Sequence, residues 1–275
     1  MGKLVDGNDG LPAEEVGVHA KQKHEYLKRY LDISSAARRR FLDGLGGATY
    51  IDLFCSVGQA RVRESGEYID GSAVAAWKIS VESGTPFSTI YLADADDDRR
   101  RVMAERLRRL KAPVKELPGT ALDAARLIPD VVNKYGLHFA FLDPYNLCAL
   151  DFGILESLSC LKRMDMLIHV SAMDLQRNLG ANMHSEESEW DRFAPGWREH
   201  VSPAAPQREI RRLVMEYWRS RIAGLGVHPG SDGDVKMITG RQNQYLYWLL
   251  LAAKHKLALK FWKIASNPEG QQELF

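Results

Sequence analysis

Hydrophobic and polar positions follow two patterns along this chain. Short continuous apolar runs are typical of buried strands, and stretches in which apolar residues recur every three or four positions are typical of amphipathic helices. The runs predict seven strands, at residues 50–54, 89–93, 114–117, 138–142, 165–170, 235–239 and 245–253. The helical spacing predicts helices within residues 19–45, from about residue 71, and over residues 99–111, 122–135, 152–162, 207–223 and 256–265.

Strands and helices alternate as far as the fifth strand, and the last two strands are joined directly by a turn at residues 240–243. Alternation is typical of parallel strands connected by crossover helices, whereas a short turn joins antiparallel strands. We therefore predict an α/β fold with a Rossmann-like, seven-stranded, mostly parallel sheet, a C-terminal antiparallel hairpin, and helices on both faces.

Length and periodicity predict the domain organisation. The chain has 275 residues, of which 45% are hydrophobic, and this suffices for one large α/β domain. Residues 1–16 lack periodicity and are predicted to be a flexible tail. Residues 17–266 are predicted to form a single domain with an N-terminal helical cover and an irregular insertion at about 180–206, and residues 267–275 a flexible C-terminal tail.

Charge and cysteine content restrict the function only weakly. The 37 basic and 36 acidic residues nearly cancel, so net charge gives no argument for a nucleic-acid partner, although local basic runs remain. The cysteines at positions 55, 148 and 160 are too few and too widely spaced for a disulfide framework or a zinc site, and no metal site is predicted. No apolar run resembles a signal peptide or a membrane span, which predicts a cytoplasmic protein.

Acidic residues lie where the first two predicted strands end. Asp52 closes the first strand, and the small residues after it lead to Gly58. In doubly wound folds a nucleotide-like ligand binds beyond the carboxyl end of such a strand. Asp94 follows the second strand, where a carboxylate can hold the two hydroxyls of a ribose. The alternative is that the acids from Asp94 onward only cap the next helix.

The fourth predicted strand delivers Asp143, Pro144 and Tyr145 to the same edge of the sheet. A carboxylate there can accept a hydrogen bond from an incoming amine or hydroxyl, and the aromatic ring provides a face for a planar substrate. The alternative is a simple turn that ends the strand. Lys23 and His24, on the first predicted helix, either reach toward this crevice or lie on a solvated helix face.

The strand layout resembles that of class I S-adenosylmethionine-dependent methyltransferases. The loop from Asp52 to Gly58 is similar to their Asp-x-Phe-x-Gly-x-Gly cofactor loop. The chain as a whole is similar to the bacterial three-Cys-motif partner (TcmP) family. The other segments that carry this resemblance are residues 23–31, 71–72, 141–145, 174–178, 245–253 and 271–275.

Three departures from the family pattern bear on activity. Ser56 replaces the first glycine of the loop and is expected to cost little as long as its backbone stays at negative φ. Gly119 is followed by Thr120, where an acidic residue is common. Tyr145 follows Pro144 directly, so the second proline of the amine-methylating Pro-Pro-aromatic motif is missing.

The resemblance implies methyl transfer from S-adenosylmethionine to an unknown substrate, with a nucleotide or nucleic acid as the candidate. The implied cofactor-binding residues are Asp52, Phe54, Ser56, Gly58, Asp94, Thr120 and Asp123. The implied catalytic residues are Asp143, Pro144 and Tyr145, and the substrate-binding candidates are Lys23, His24, Arg177 and Asn178. The alternative function is a non-catalytic Rossmann-like binding module that acts with a partner protein or nucleic acid, which Ser56 and Thr120 favour.

The sequence also offers two candidate protein partners. The family is named for a neighbouring gene product with three cysteines, so a three-cysteine partner protein is implied, and the three cysteines of this chain are unrelated to that name. Residues Gln271 to Phe275 resemble the short peptide by which bacterial replication and repair proteins bind the sliding clamp. The alternative is an ordinary frayed chain end.

Overall fold

Eleven strands and eleven α-helices form in the described part of the chain. The computed structural model describes residues 2–177, 179–186, 188–202, 204–240 and 245–267. The strands are β1 (Leu4–Asp6), β2 (Pro12–Val16), β3 (Ala48–Asp52), β4 (Gln59–Val62), β5 (Tyr68–Asp70), β6 (Thr89–Leu92), β7 (Val114–Glu116), β8 (Leu137–Leu142), β9 (Met164–Ser171), β10 (Lys236–Thr239) and β11 (Tyr245–Ala253). The helices are α1 (Ala20–Ile33), α2 (Ser35–Leu42), α3 (Ser72–Glu82), α4 (Asp97–Arg109), α5 (Ala121–Val131), α6 (Phe152–Ser159), α7 (Ala172–Arg177), α8 (Leu179–His184), α9 (Glu189–Phe193), α10 (Gln207–Gly224) and α11 (Lys256–Ser266).

Seven of these strands form the main sheet, in the order β10-β11-β9-β8-β3-β6-β7. Five neighbouring strands, β9, β8, β3, β6 and β7, run parallel to one another, because helices connect them. Strand β11 is antiparallel to both β9 and β10. The order reverses at β3, whose two neighbours are β6 and β8. The predicted fold class is confirmed: the sheet is mostly parallel and ends in a C-terminal antiparallel hairpin.

Helices cover both faces of the main sheet. Helices α1, α3, α4 and α11 bury apolar side chains against one face, and α5, α6 and α10 bury theirs against the other. Every residue of β3 is buried, as expected for a central parallel strand. In the insertion predicted at about 180–206, the side chains of Trp190, Phe193 and Trp197 are also fully buried, so these aromatics fill the core.

A second, four-stranded sheet has the order β1-β2-β4-β5. Strand β2 runs parallel to β4, and the outer strands are antiparallel to their neighbours. The prediction of a flexible tail over residues 1–16 is therefore wrong. Arg106 of α4 also binds this segment through an ion pair with Asp9, with 2.7 Å between Nε and Oδ2. We call residues 2–16 the N-terminal ribbon.

Two predicted segments lie on residues that the structure does not describe. One is the turn predicted between the last two strands, of which residues 241–244 fall outside the described part of the chain, and the other is the clamp-like peptide from Gln271 to Phe275. No helix among the described residues has both the length and the apolar content needed to cross a membrane.

Candidate functional site

A cavity of about 560 Å³ opens at the carboxyl ends of the parallel strands. It lies where the strand order reverses around β3, the place where open α/β sheets bind ligands. Its volume is within the range of small-molecule sites, roughly 300–1,000 Å³. Its lining includes Glu14, Val16, Lys23, Leu53, Phe54, Ser56, Asp94, Arg99, Thr120, Leu122, Asp143, Pro144, Tyr145, Cys148, Asp151, His169 and Arg192.

Asp94 forms one wall of this cavity, directly after β6. Its Oδ2 accepts a hydrogen bond from the Ser56 backbone N–H (2.9 Å), and its Oδ1 accepts one from the Asp96 N–H (3.0 Å). Burial raises the pKa of Asp94, while these two N–H donors oppose the rise. Because a carboxylate has about four acceptor sites, Asp94 retains acceptor capacity toward a ligand.

The backbone of Ser56 has an unusual conformation. Its φ is +51°, in the left-handed region that residues with a Cβ atom rarely adopt. Two bonds hold it there: the N–H bond to Asp94, and a hydrogen bond from Ser56 Oγ to Glu14 Oε2 (2.5 Å). A negative φ, the condition under which this serine was expected to cost little, is therefore not met, because the side chains of Glu14 in β2 and of Asp94, which follows β6, fix the loop.

Asp143 forms the opposite wall, at the end of β8. Its Oδ2 lies 2.5 Å from the Nζ atom of Lys23, which α1 places over the cavity. Burial, the largest single influence, would raise the pKa of Asp143, but the charge and hydrogen bond of Lys23 together with the neighbouring His169 and His24 hold the pKa below its ordinary value. Asp143 is therefore an ionised hydrogen-bond acceptor at neutral pH.

The second oxygen of Asp143 faces His169, near the end of β9. The Asp143 Oδ1 and His169 Nδ1 atoms are 3.2 Å apart, yet both are buried without a hydrogen-bond partner, so the angle between them does not suit a bond. Burial lowers the pKa of His169 to about 4, although the Asp143 charge opposes this, and the ring is neutral at pH 7. A ligand that brings a donor to Asp143 Oδ1 would satisfy a group that the protein leaves unpaired.

Residues after Asp143 shape the entrance of the cavity. The Tyr145 side chain is 66% exposed and Pro144 lies beside it on the lining, so a flat ring is presented at the opening. Asn146 caps the short 3₁₀ helix that follows, and Asp174 Oδ2 accepts the Leu147 N–H at 3.0 Å. These bonds fix the turn, which positions Tyr145.

Asp52 lies beneath the cavity and does not line it. Its carboxylate is fully buried and accepts hydrogen bonds from Ser72 Oγ (2.5 Å) and from the Phe54 N–H (3.3 Å). Burial raises the pKa of Asp52 to about 7. The N-cap of α3 is Gly71, and the hydroxyl of Ser72 in the first turn is directed to Asp52. Asp52 thus supports the loop from below.

Gly58 also has a supporting role. Its φ is +83°, and a Cβ atom at this position would lie 2.7 Å from Met103 Sδ. The Gly71 N–H donates to its carbonyl oxygen at 2.9 Å. The glycine is therefore required for close packing of the loop on α3 and α4, and among the described residues it is not part of the cavity lining.

Three other predicted residues lie outside the lining. Asp123 forms a capping box with Thr120 at the start of α5 and is exposed, so its carboxylate is used within the helix end. His24 is buried, and burial lowers its pKa to about 4. Arg177 is exposed at the end of α7. Asn178 lies outside the described residues.

Sequence reasoning missed several lining residues. Glu14 and Val16 come from the N-terminal ribbon, and Arg99 comes from the first turns of α4. Arg192 comes from α9 in the insertion. His169 was also missed, although its position just before the end of a predicted strand was a sequence signal that could have placed it at the cavity. The other missed residues reach the cavity through contacts between distant segments.

No family model matches the chain, and no curated protein matches it in sequence. Solved structures match it in fold. Protein LPL1258 from Legionella pneumophila str. Philadelphia 1 is 10% identical, with 92% of this chain and 94% of that chain covered and a TM-score of 0.50. Cofactor-bound Rv0187 from MTB is 13% identical (87% and 83% covered, TM-score 0.43). An S-adenosylmethionine-dependent methyltransferase from Clostridium acetobutylicum ATCC 824 is 8% identical (82% and 91% covered, TM-score 0.38). At such identities the likeness concerns the fold alone.

Proposed function

We propose that this protein is a methyltransferase of the TcmP type that uses S-adenosylmethionine. The observation that carries the proposal is that one cavity at the strand-order reversal has the Asp94 carboxylate on one wall and the ionised Asp143 on the other. One wall suits a ribose and the other suits a hydrogen-bond donor on a methyl acceptor.

The residues present fit the cofactor. Asp94 retains acceptor capacity for ribose hydroxyls, and the side chains of Leu53, Phe54 and Leu122 give apolar contact for a nucleobase. The charged lining has four carboxylates against three cations. His169 adds no charge at pH 7, because its pKa is about 4. The excess of negative charge suits a ligand with a sulfonium charge. When bound, S-adenosylmethionine supplies the electrophilic methyl group.

The protein's own contribution is to position the acceptor. Asp143 Oδ1 is buried and unpaired, so it can accept an N–H or O–H of the acceptor, while Lys23 holds Oδ2 in place. The exposed ring of Tyr145 can stack on a planar group at the entrance. This combination favours a nucleobase acceptor, free or in a nucleic acid, and positioning alone supplies much of the catalysis in transfers of this kind.

Calorimetry with S-adenosylmethionine and S-adenosylhomocysteine tests the proposal. We expect both to bind the wild-type protein, and Asp94→Asn to weaken binding by about tenfold or more, since a hydrogen bond to a charged group is lost. Asp98→Asn is the matched control: it lies on α4, its side chain is 88% exposed, and it pairs only with Arg101 among the described ion pairs. Absence of binding in a folded wild-type protein would refute the proposal.

A further inference from the structure

The N-terminal ribbon contributes a carboxylate to the cavity. Strand β2 places Glu14 and Glu15 on opposite sides, because side chains alternate along a strand. Glu14 lines the cavity, whereas Glu15 Oε2 pairs with the exposed Arg63 on the other side, 2.9 Å from its Nε. The two neighbours therefore have the same chemistry and different surroundings.

Glu14 is held rigidly. Its Oε1 accepts hydrogen bonds from the Gly2 N–H (2.8 Å) and from Arg99 NH1 (3.1 Å), and its Oε2 accepts the Ser56 hydroxyl. The Arg99 side chain is only 8% exposed, and it also donates to the Gly2 carbonyl oxygen at 2.8 Å. Oε1 thus has two donors and Oε2 has one, which leaves an acceptor site on Oε2.

Ser56 places Glu14 next to Asp94. The backbone N–H of Ser56 donates to Asp94 Oδ2, and its hydroxyl donates to Glu14 Oε2. Two carboxylates on the lining of one cavity are therefore separated by a single residue, and each retains acceptor capacity. A vicinal diol has two O–H donors and matches such a pair.

We infer that Glu14 is a second cofactor-binding carboxylate, which takes one ribose hydroxyl while Asp94 takes the other. The inference rests on the proposed function. It makes the second sheet part of the binding site, and it selects a nucleoside with both hydroxyls free, since a phosphate on the ribose would meet two carboxylates.

Calorimetry with S-adenosylhomocysteine and its 2′-deoxy and 3′-deoxy analogues tests the inference. The wild-type protein should lose about tenfold in affinity for each analogue. Glu14→Gln should weaken S-adenosylhomocysteine binding about tenfold. For one of the two analogues the variant should bind nearly as tightly as the wild-type protein does, because that analogue already lacks the hydroxyl that Glu14 binds. Glu15→Gln is the matched control and should bind as wild type does.

The same comparison separates direct contact from support of the loop. If Glu14 acted only by holding Ser56, Glu14→Gln would weaken the binding of S-adenosylhomocysteine and of both deoxy analogues by the same factor, because no single ribose hydroxyl would depend on it. Equal losses of this kind, or indifference of the wild type to the two deoxy changes, would overturn the inference.

The outcomes distinguish this inference from the proposed function. If the folded wild-type protein does not bind S-adenosylhomocysteine, the proposed function fails. If it binds and Asp94→Asn weakens binding while Glu14→Gln does not, the proposed function stands and the role of Glu14 is refuted.

Discussion

The ion pair between Lys23 and Asp143 is the interaction at this site whose removal has the most readily measured consequence. Lys23→Met removes the cation and keeps a side chain of similar length, so Asp143 stays buried without its partner. Removing one partner of a buried pair costs about 3–5 kcal/mol. The two side chains keep 19% and 14% exposure. Because water screens part of the remaining charge, we expect a loss of roughly 2–3 kcal/mol in the free energy of unfolding at pH 8.

The pH dependence gives this prediction a definite sign. In the wild-type protein the pKa of Asp143 is lower in the folded state than in the unfolded state. Its ionisation therefore stabilises the fold at any pH above the unfolded-state pKa, and this stability is lost only as pH falls through the folded-state pKa. Without Lys23, the main group that opposes the effect of burial is lost and the pKa of Asp143 rises. Ionisation then costs stability as pH increases. The deficit of Lys23→Met should therefore be larger at pH 8 than at pH 5.

Urea denaturation at pH 5 and pH 8 measures both effects. Lys28→Met is the control: it lies on the same helix, and its pair with Glu25 is exposed (38% and 54%), so it should cost only about 0.5 kcal/mol. Combining Lys23→Met with Asp143→Asn should restore most of the lost stability, because neither partner is then left charged and unpaired. A Lys23→Met deficit no larger than that of Lys28→Met, or a double variant less stable than Lys23→Met alone, would refute the reasoning.

Two further predictions concern residues beneath the cavity. The pKa of Asp52 is about 7 in the folded protein against an ordinary value of 3.8, so its ionisation removes stability as pH rises through that range. In the same assay, the stability of Asp52→Asn relative to wild type should therefore increase by roughly 2–3 kcal/mol between pH 5 and pH 8. An unchanged difference would contradict this. Gly58→Ala should destabilise the protein by about 2–3 kcal/mol, since its φ is +83° and the new Cβ would lie 2.7 Å from Met103 Sδ. Gly10→Ala is its control, with φ +80° and nothing within 4 Å, and should lose only about 1 kcal/mol; equal losses would exclude a packing role for Gly58.

The main sheet could be predicted from the sequence because its central strands are buried on both faces. In β8, for example, every residue after Leu137 is buried, and residues 139–142 appear in the sequence as a continuous apolar run. The alternation of such runs with helices then restricts the strand order to a few arrangements. The strand ends that carry Asp94 and Asp143 follow directly from that order.

The N-terminal ribbon could not be predicted, for a physical reason. Strand β2 is short, begins at Pro12 and carries two adjacent glutamates, so it has neither a hydrophobic period nor a strong propensity. Its order comes from pairing with β4, more than forty residues away in the chain, where Glu14 lies opposite Ala60. Interactions of this kind leave no local pattern, and they explain why Glu14 and the φ of Ser56 were both missed.

The three aspartates show why residue type at a strand end does not determine a role. Asp52 meets only hydroxyl and N–H donors in full burial, so its pKa rises to about 7 and it acts as a support within the core. Asp94 has two backbone donors and open acceptor sites on the cavity. Asp143 has the nearby Lys23 ammonium, which keeps it ionised although it is buried. Because the partners of each carboxylate come from α3, from the loop after β3 and from α1, respectively, the chemistry of the site is decided by which distant segments pack around each strand end.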